Sequence, residues 1–426
     1  MVFFHGGAFT YSAGSSPIYD GRLMATASAV DHGTPTIIIT LNYRLGVYGF
    51  LAGTDLQTYA ASVGEEGCGN YGVWDQVIAL RWVQKHIAAF GGDPSRVCIF
   101  GQSAGSVSVA CHINREEPLF ESAMMQSGVL SLCGIMTPGQ YQAVFEKIIR
   151  QVGISLDLDP EERVKALAKV PEDALTKAMI PVFEIPVITM ALCDDGVLLP
   201  KINQQSTYEN FEIPPFVKRL AIGDVLHECI IWNKSWRHLS APDLLQTMQE
   251  FLGNKTGLVA DLYQITPDMT AKQTAGAIER LTTDGLYRIA NHLAVRAVPR
   301  SFAYHFNVPS QYDNEWATLC HHSYDNVLIW GVLKHTLSPA QQKISEEMTA
   351  AWIRFANGIN PWEPFAAKEQ FCIFGPEEVQ MQTKEEYDKS SYRAWDILER
   401  NDLVKPLMEL SAELCLQRRR LLSPIR

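Results

Sequence analysis

The chain of 426 residues has no apolar run of about 18 residues, so no transmembrane helix is indicated. Positive charge is also short. Thirty-six Lys and Arg stand against 47 Asp and Glu, a net charge of −11. That balance argues against nucleic-acid partners and against anionic membrane surfaces. The basic run Arg418-Arg419-Arg420 reads as a solvated helix end. The nine cysteines contain no Cys-x-x-Cys pair and no zinc spacing, so no metal is expected. Cys98 reads as a buried free thiol. There is no internal repeat and no low-complexity tract. The residues given carry no signal-peptide pattern, and neither compartment nor oligomeric state is legible. With 47% hydrophobic residues, the chain is ample for a large core.

Strand and helix signals alternate along the sequence. Thr36-Ile37-Ile38-Ile39-Thr40-Leu41 reads as a fully buried strand. Val73, Val77, Leu80 and Val83 fall at helical spacing over 73–89. Leu220–Ile222 and Ser301–Phe306 read as further strands. Pro339–Asn357 reads as a helix capped by Ser338 and ended by Gly358 and Pro361. Alternation of this kind predicts a mainly parallel sheet with helices on both faces. Gly67-Cys68-Gly69-Asn70-Tyr71-Gly72 spells a dinucleotide fingerprint. It follows a polar loop rather than a strand, so nucleotide binding is set aside and no cofactor is expected.

The chemistry centres on Gly101-Gln102-Ser103-Ala104-Gly105. The apolar run Arg96-Val97-Cys98-Ile99-Phe100 precedes it, and the small residues Ser106 to Cys111 follow. A Gly-x-Ser-x-Gly sequence at a strand-to-helix corner puts its serine on a strained turn with the hydroxyl exposed. A serine hydroxyl is a poor nucleophile at neutral pH. It needs a base, an orienting carboxylate and donors for an oxyanion. At the N-terminus, Met1-Val2-Phe3-Phe4 runs into His5-Gly6-Gly7-Ala8-Phe9, a glycine-rich turn of the form expected for an oxyanion loop. The N–H groups of Gly7, Ala8 and Ala104 are the candidate donors.

Asn42-Tyr43-Arg44, Asn70-Tyr71-Gly72-Val73-Trp74-Asp75-Gln76, Ala79-Leu80-Arg81-Trp82-Val83 and Phe90-Gly91-Gly92-Asp93-Pro94 stand with these two motifs in one order. Together they resemble the type-B carboxylesterase/lipase family, which includes the cholinesterases. Gln102 and the His321-His322 doublet look like its fungal branch. The resemblance implies an α/β-hydrolase fold and a catalytic triad. The family's acid lies in a Gly-x-x-x-x-Glu pattern, matched from Gly223 to Glu228; Asp224 is a nearby rival. The family usually has glycine next, where this chain has Cys229. The base falls in His322-Ser323-Tyr324-Asp325, and His321 is one residue out of register. Asp325 reads as a loop or helix-start residue and Arg44 as a structural ion-pair arginine. Phe9, Trp232 and Trp236 are candidates to line a pocket, with core packing the first reading for each.

These positions predict catalytic Ser103, Glu228 and His322, in the chain order of α/β-hydrolases. The expected reaction is hydrolysis of a small-molecule carboxylic ester through an acyl-enzyme. The alternative is a non-catalytic cholinesterase-like protein or an inactive truncated product. The expected organisation is one α/β-hydrolase domain over 1–426. Within it, the helix-rich segment 131–215 is a candidate cap. Because Met1 falls inside the strand that leads to the oxyanion loop, the resemblance implies a shortened N-terminus that lacks the first strands.

Overall fold

The structure, a computed structural model, describes residues 1–115, 117–183, 190–199, 211–387, 389–417, 419 and 422. Among them, eight strands form one sheet: β1 (Val2–Phe4), β2 (Ile39–Leu41), β3 (Cys98–Gln102), β4 (Ser122–Gln126), β5 (Arg219–Val225), β6 (Ser301–Phe306), β7 (Gln370–Phe374) and β8 (Val379–Thr383). Their order is β8-β7-β6-β5-β4-β3-β1-β2, with every neighbouring pair parallel except β7 and β8. Strand β3 pairs residue for residue with β4, Gln102 opposite Gln126, and β4 pairs in turn with β5.

The middle strands are continuously buried, as parallel strands covered on both faces should be. Successive side chains point to opposite faces. Val2, Phe4, Ile99, Met125 and Ile222 enter one core cluster. Phe3, Cys98, Phe100, Met124 and Ala221 enter the other. The helix Tyr71–His86 covers the first face with Val73, Val77, Leu80 and Val83, the spacing anticipated from sequence. The helix Pro339–Ala356 covers the second, and Ser338 Oγ caps it by accepting from Gln341 N at 3.3 Å.

One strand differs from expectation. The run 36–41 predicts a fully buried strand, but only Ile39–Leu41 is extended in the sheet and all three residues are half-buried. The reason is position: β2 lies at the end of the sheet and pairs only with β1. The fingerprint-like segment 67–72 follows the helix Thr54–Ser62 and a turn, not a strand. Arg44 forks onto Asp75, with Nε and Nη2 each donating at 2.8 Å. All nine cysteines are buried and none is cross-linked.

The segment 131–215 holds helices Pro138–Gln151, Pro160–Leu167 and Glu172–Phe183, and a short parallel pair of Ile135–Met136 with Leu192–Cys193. Residues 184–189 and 200–210 of that segment lie outside the described residues, as do Arg418 and Arg420. No helix among the described residues is long and apolar enough to cross a membrane.

Candidate active site

Strand β3 ends at Gln102, and the helix Ala104–Asn114 starts two residues later. Ser103 makes the whole turn between them, with φ 59° and ψ −125°. A positive φ at a non-glycine residue costs of order 1–3 kcal/mol and persists only where the surroundings enforce it. Here Ser103 N donates to Gln126 O at 2.9 Å, which ties the corner to β4. The flanking glycines let the elements close in. A Cβ at Gly105 would sit 1.9 Å from Phe4 O, and one at Gly101 would sit 2.4 Å from Gly105 O. Both glycines of the motif are therefore required by close approach.

The loop after β1 is fastened on both sides. Tyr43 OH donates to His5 O at 2.7 Å, and the two rings stack at 4.5 Å. Phe9 stacks on Phe50 at 4.3 Å. Gly7, Ala8 and Phe9 take φ of 108°, 57° and 58°, which turns the chain tightly. Gly7, Ala8, Ser103 and His322 line one cavity of about 260 Å³. Ala104 is fully buried beside Ser103 at the first position of its helix. Among the described residues, the backbone N–H groups of Gly7 and Ala8 make no hydrogen bond.

Glu228 and His322 reach each other because their loops are zipped together. His227 N donates to Cys320 O at 3.0 Å, and His322 N donates to His227 O at 3.3 Å. His227 Nδ1 accepts from Cys320 N at 3.2 Å. Burial, helped by the charge of Arg288, holds His227 below its ordinary pKa, in keeping with that acceptor role. His322 Nδ1 then meets Glu228 Oε2 at 2.5 Å. The other carboxylate oxygen accepts from Val225 N at 2.8 Å, and Glu228 is fully buried. Cys229, where the resemblance leads one to expect glycine, keeps a negative-φ neighbour in Glu228 and donates its N–H to Thr283 Oγ1 at 3.0 Å. The loop accepts the larger residue without left-handed backbone.

The two rival residues face elsewhere. Asp224 Oδ1 lies 2.6 Å from His305 Nδ1 and 3.4 Å from Arg288 Nε. Burial alone would raise its carboxyl, but His305, Arg288 and Asn291 outweigh that and leave it below the usual value. His321 is packed at 5.0 Å from the Trp316 ring and 5.2 Å from Tyr324, with its Nδ1 on His322 O at 3.0 Å. Burial lowers its pKa.

Asp325 lies at the start of the helix Tyr324–Trp330 and is fully buried. Its Oδ2 accepts from Gln126 Nε2 at 3.2 Å, and Trp352 Nε1 donates to Gln126 Oε1 at 3.2 Å. Burial first, and the charge of Glu228 second, push its carboxyl up to about 6 from 3.8. A raised folded-state pKa makes the carboxylate a cost above that pH, absent once both states are protonated. Stability therefore falls as pH rises from about 4 to about 6. Asp325→Asn keeps an acceptor for Gln126 and removes the charge. It should stabilise the fold by roughly 2–3 kcal/mol at pH 7.5 and by nearly nothing at pH 4, measured by denaturant unfolding at both. An equal shift at both pH values would contradict this.

Some of the site was not anticipated. Gln102 Nε2 stands 3.1 Å from His322 Nε2, a contact across 220 positions of chain. Tyr11, Tyr19, Leu132, Trp232 and Trp316 wall the cavity. Trp232 thus does more than fill the core, whereas Phe9 and Trp236 are core residues. Ser103 Oγ makes no hydrogen bond to His322 among the described residues. Such contacts are often loose until substrate is bound.

The model of the carboxylesterase family matches residues 1–395. The para-nitrobenzyl esterase of Bacillus subtilis is 38% identical over 180 residues, which cover 42% of this chain and 32% of that protein. The chain thus spans about a third of that relative's length. Lipase 3 of Yarrowia lipolytica is 26% identical over 376 residues, covering 85% of this chain and 68% of the lipase. The carboxylesterase EST55 of Geobacillus stearothermophilus superposes with a TM-score of 0.72 at 27% identity, over 92% of this chain and 81% of that one. The sheet is that of an α/β-hydrolase, and the chain belongs to the carboxylesterase family.

Proposed function

We propose that the chain is a serine carboxylesterase in which Ser103 is the nucleophile, His322 the base and Glu228 the acid. One observation carries the reading. Ser103, on its strained corner, shares a cavity with His322, whose far nitrogen is bonded to the buried Glu228. With Nδ1–H donated to Glu228, the lone pair of His322 is on Nε2. His322 takes the Ser103 proton as the oxygen attacks the ester carbonyl. Glu228 holds the ring in that tautomer and stabilises the imidazolium. The N–H groups of Gly7, Ala8 and Ala104 receive the oxyanion, each worth roughly 3–4 kcal/mol in comparable sites. His322 then protonates the leaving alcohol, and water hydrolyses the acyl-enzyme. No cofactor enters this sequence.

The substrate class is a small, uncharged carboxylic ester. Tyr11, Tyr19, Trp232 and Trp316 supply aromatic wall to the cavity, with Lys234 and Glu315 the charged residues along it. Carboxylesterases act on esters of small molecules. The same reading takes 1–426 as one domain, since Ser103, Glu228 and His322 stand on the loops of a single sheet. The described residues of segment 131–215 are its cap. Leu132 and Cys133 line the cavity, and Met190 N donates to Ala8 O at 3.3 Å.

Hydrolysis of phenyl acetate by the full chain tests the reading. His322→Ala should lose several orders of magnitude in kcat/KM, as deletion of Ser103 should. His321→Ala should lose less than about tenfold, because its ring contacts Trp316 and Tyr324 rather than the reacting atoms. Equal losses at the two histidines would overturn the register.

A further inference from the structure

We propose that Gln102 is a positioning residue that favours the neutral form of His322 and so extends the working range of this esterase towards acid pH; the inference rests on the serine-hydrolase reading above. The neutral ring donates from Nδ1 to Glu228, which leaves Nε2 as its acceptor. Gln102 Nε2 lies 3.1 Å from that acceptor. An amide nitrogen has only hydrogens to offer, so Gln102 donates into the lone pair. Gln102 ends β3, pairs with Gln126 in the sheet and is 1% exposed. Its Oε1 packs against Gly6, where a Cβ would stand only 3.0 Å away.

The consequence follows from one lone pair with two suitors. When Nε2 carries a proton, two donors face each other and the Gln102 bond is lost. Donation to the neutral form therefore lowers the tendency of His322 to take up a proton from solvent. The same lone pair must receive the proton of Ser103, so the bond breaks on each acylation, at a cost of a few-fold in rate. The enzyme gives up some speed at neutral pH and keeps its base unprotonated at lower pH.

The other groups around His322 are independent of Gln102. Glu228 holds Nδ1, and the Tyr287 ring lies 5.5 Å away. Asp325 and His321 act on the ring through space, and His227 accepts from its backbone. Lys234 and Glu315 line the same cavity.

The experiment uses the full chain with Gln102→Met and Gln102→Glu. The first removes the donor at similar size. The second puts a carboxylate beside Nε2, which favours the imidazolium. Two quantities are read: the acid limb of kcat/KM against pH for phenyl acetate, which does not ionise, and the titration midpoint of the His322 ring by NMR. Both should move to higher pH in Gln102→Met, and further in Gln102→Glu, by about one pH unit or more. If limb and midpoint stay put or move down in both variants, even with turnover reduced, Gln102 merely packs and the inference fails. If Gln102→Glu does not fold, the Gln102→Met midpoint decides alone. Loss of the serine reading would register differently, as full turnover in Ser103→Ala. The ring titration would still decide the role of Gln102.

Discussion

Ser103→Ala is expected to lower ester hydrolysis by up to about 10⁶-fold, on the scale of other serine hydrolases. Little else should change. Ser103 Oγ has no bond to His322 among the described residues, so the folded state loses no hydrogen bond of that kind. The positive φ strains alanine about as much as serine, and the backbone bond from residue 103 to Gln126 remains. Thermal unfolding should move by less than about 1 kcal/mol. The residual rate should still exceed that of water, since the donors of the oxyanion loop survive. Steady-state kinetics on phenyl acetate and a melting curve check both halves. Near-normal turnover would remove Ser103 from the mechanism.

Glu228→Gln should cost about 10⁴ in kcat, by analogy with triads whose acid was converted to an amide. The geometry says why an isosteric change is so damaging. Both oxygens of Glu228 accept: one from Val225 N at 2.8 Å, the other from His322 Nδ1 at 2.5 Å. Glutamine has one acceptor. It must either set its NH₂ against Val225 N–H or turn His322 to the tautomer with its proton on Nε2. The first leaves a buried donor unpaired, at roughly 1–3 kcal/mol. The second removes the lone pair that should take the Ser103 proton. Asp224→Asn should behave in the opposite way. It weakens the contacts to His305 and Arg288 and lowers stability, with a much smaller effect on turnover. Greater sensitivity at Asp224 than at Glu228 would reverse the assignment of the acid.

The corner at Ser103 was legible because its motif is contiguous in sequence. Gly101 and Gly105 are required where strand and helix touch, and the residues that meet them lie close in sequence or on β1. Helix Tyr71–His86 was legible because its buried positions repeat at the helical period. The edge position of β2 was not, since Ile37-Ile38-Ile39 reads the same whether one or two neighbours flank it. Glu228 and Asp224 lie four residues apart. What separates them is the pairing of His227 with Cys320 and His322, a long-range contact that local sequence does not encode. The contact between Gln102 and His322, and the wall formed by Trp316, were hidden for the same reason. Family resemblance supplied the register of Glu228 and His322. It carried no information on what Gln102 touches.

In the proposed mechanism Ser103 is a nucleophile activated by His322. Intact-mass measurement after treatment of the full chain with a fluorophosphonate tests it most directly, because it reads the covalent step without a choice of substrate. One phosphonyl adduct per chain is expected, located on Ser103, absent in Ser103→Ala and formed far more slowly in His322→Ala. No adduct, an adduct on another residue, or labelling at an undiminished rate in His322→Ala would contradict it.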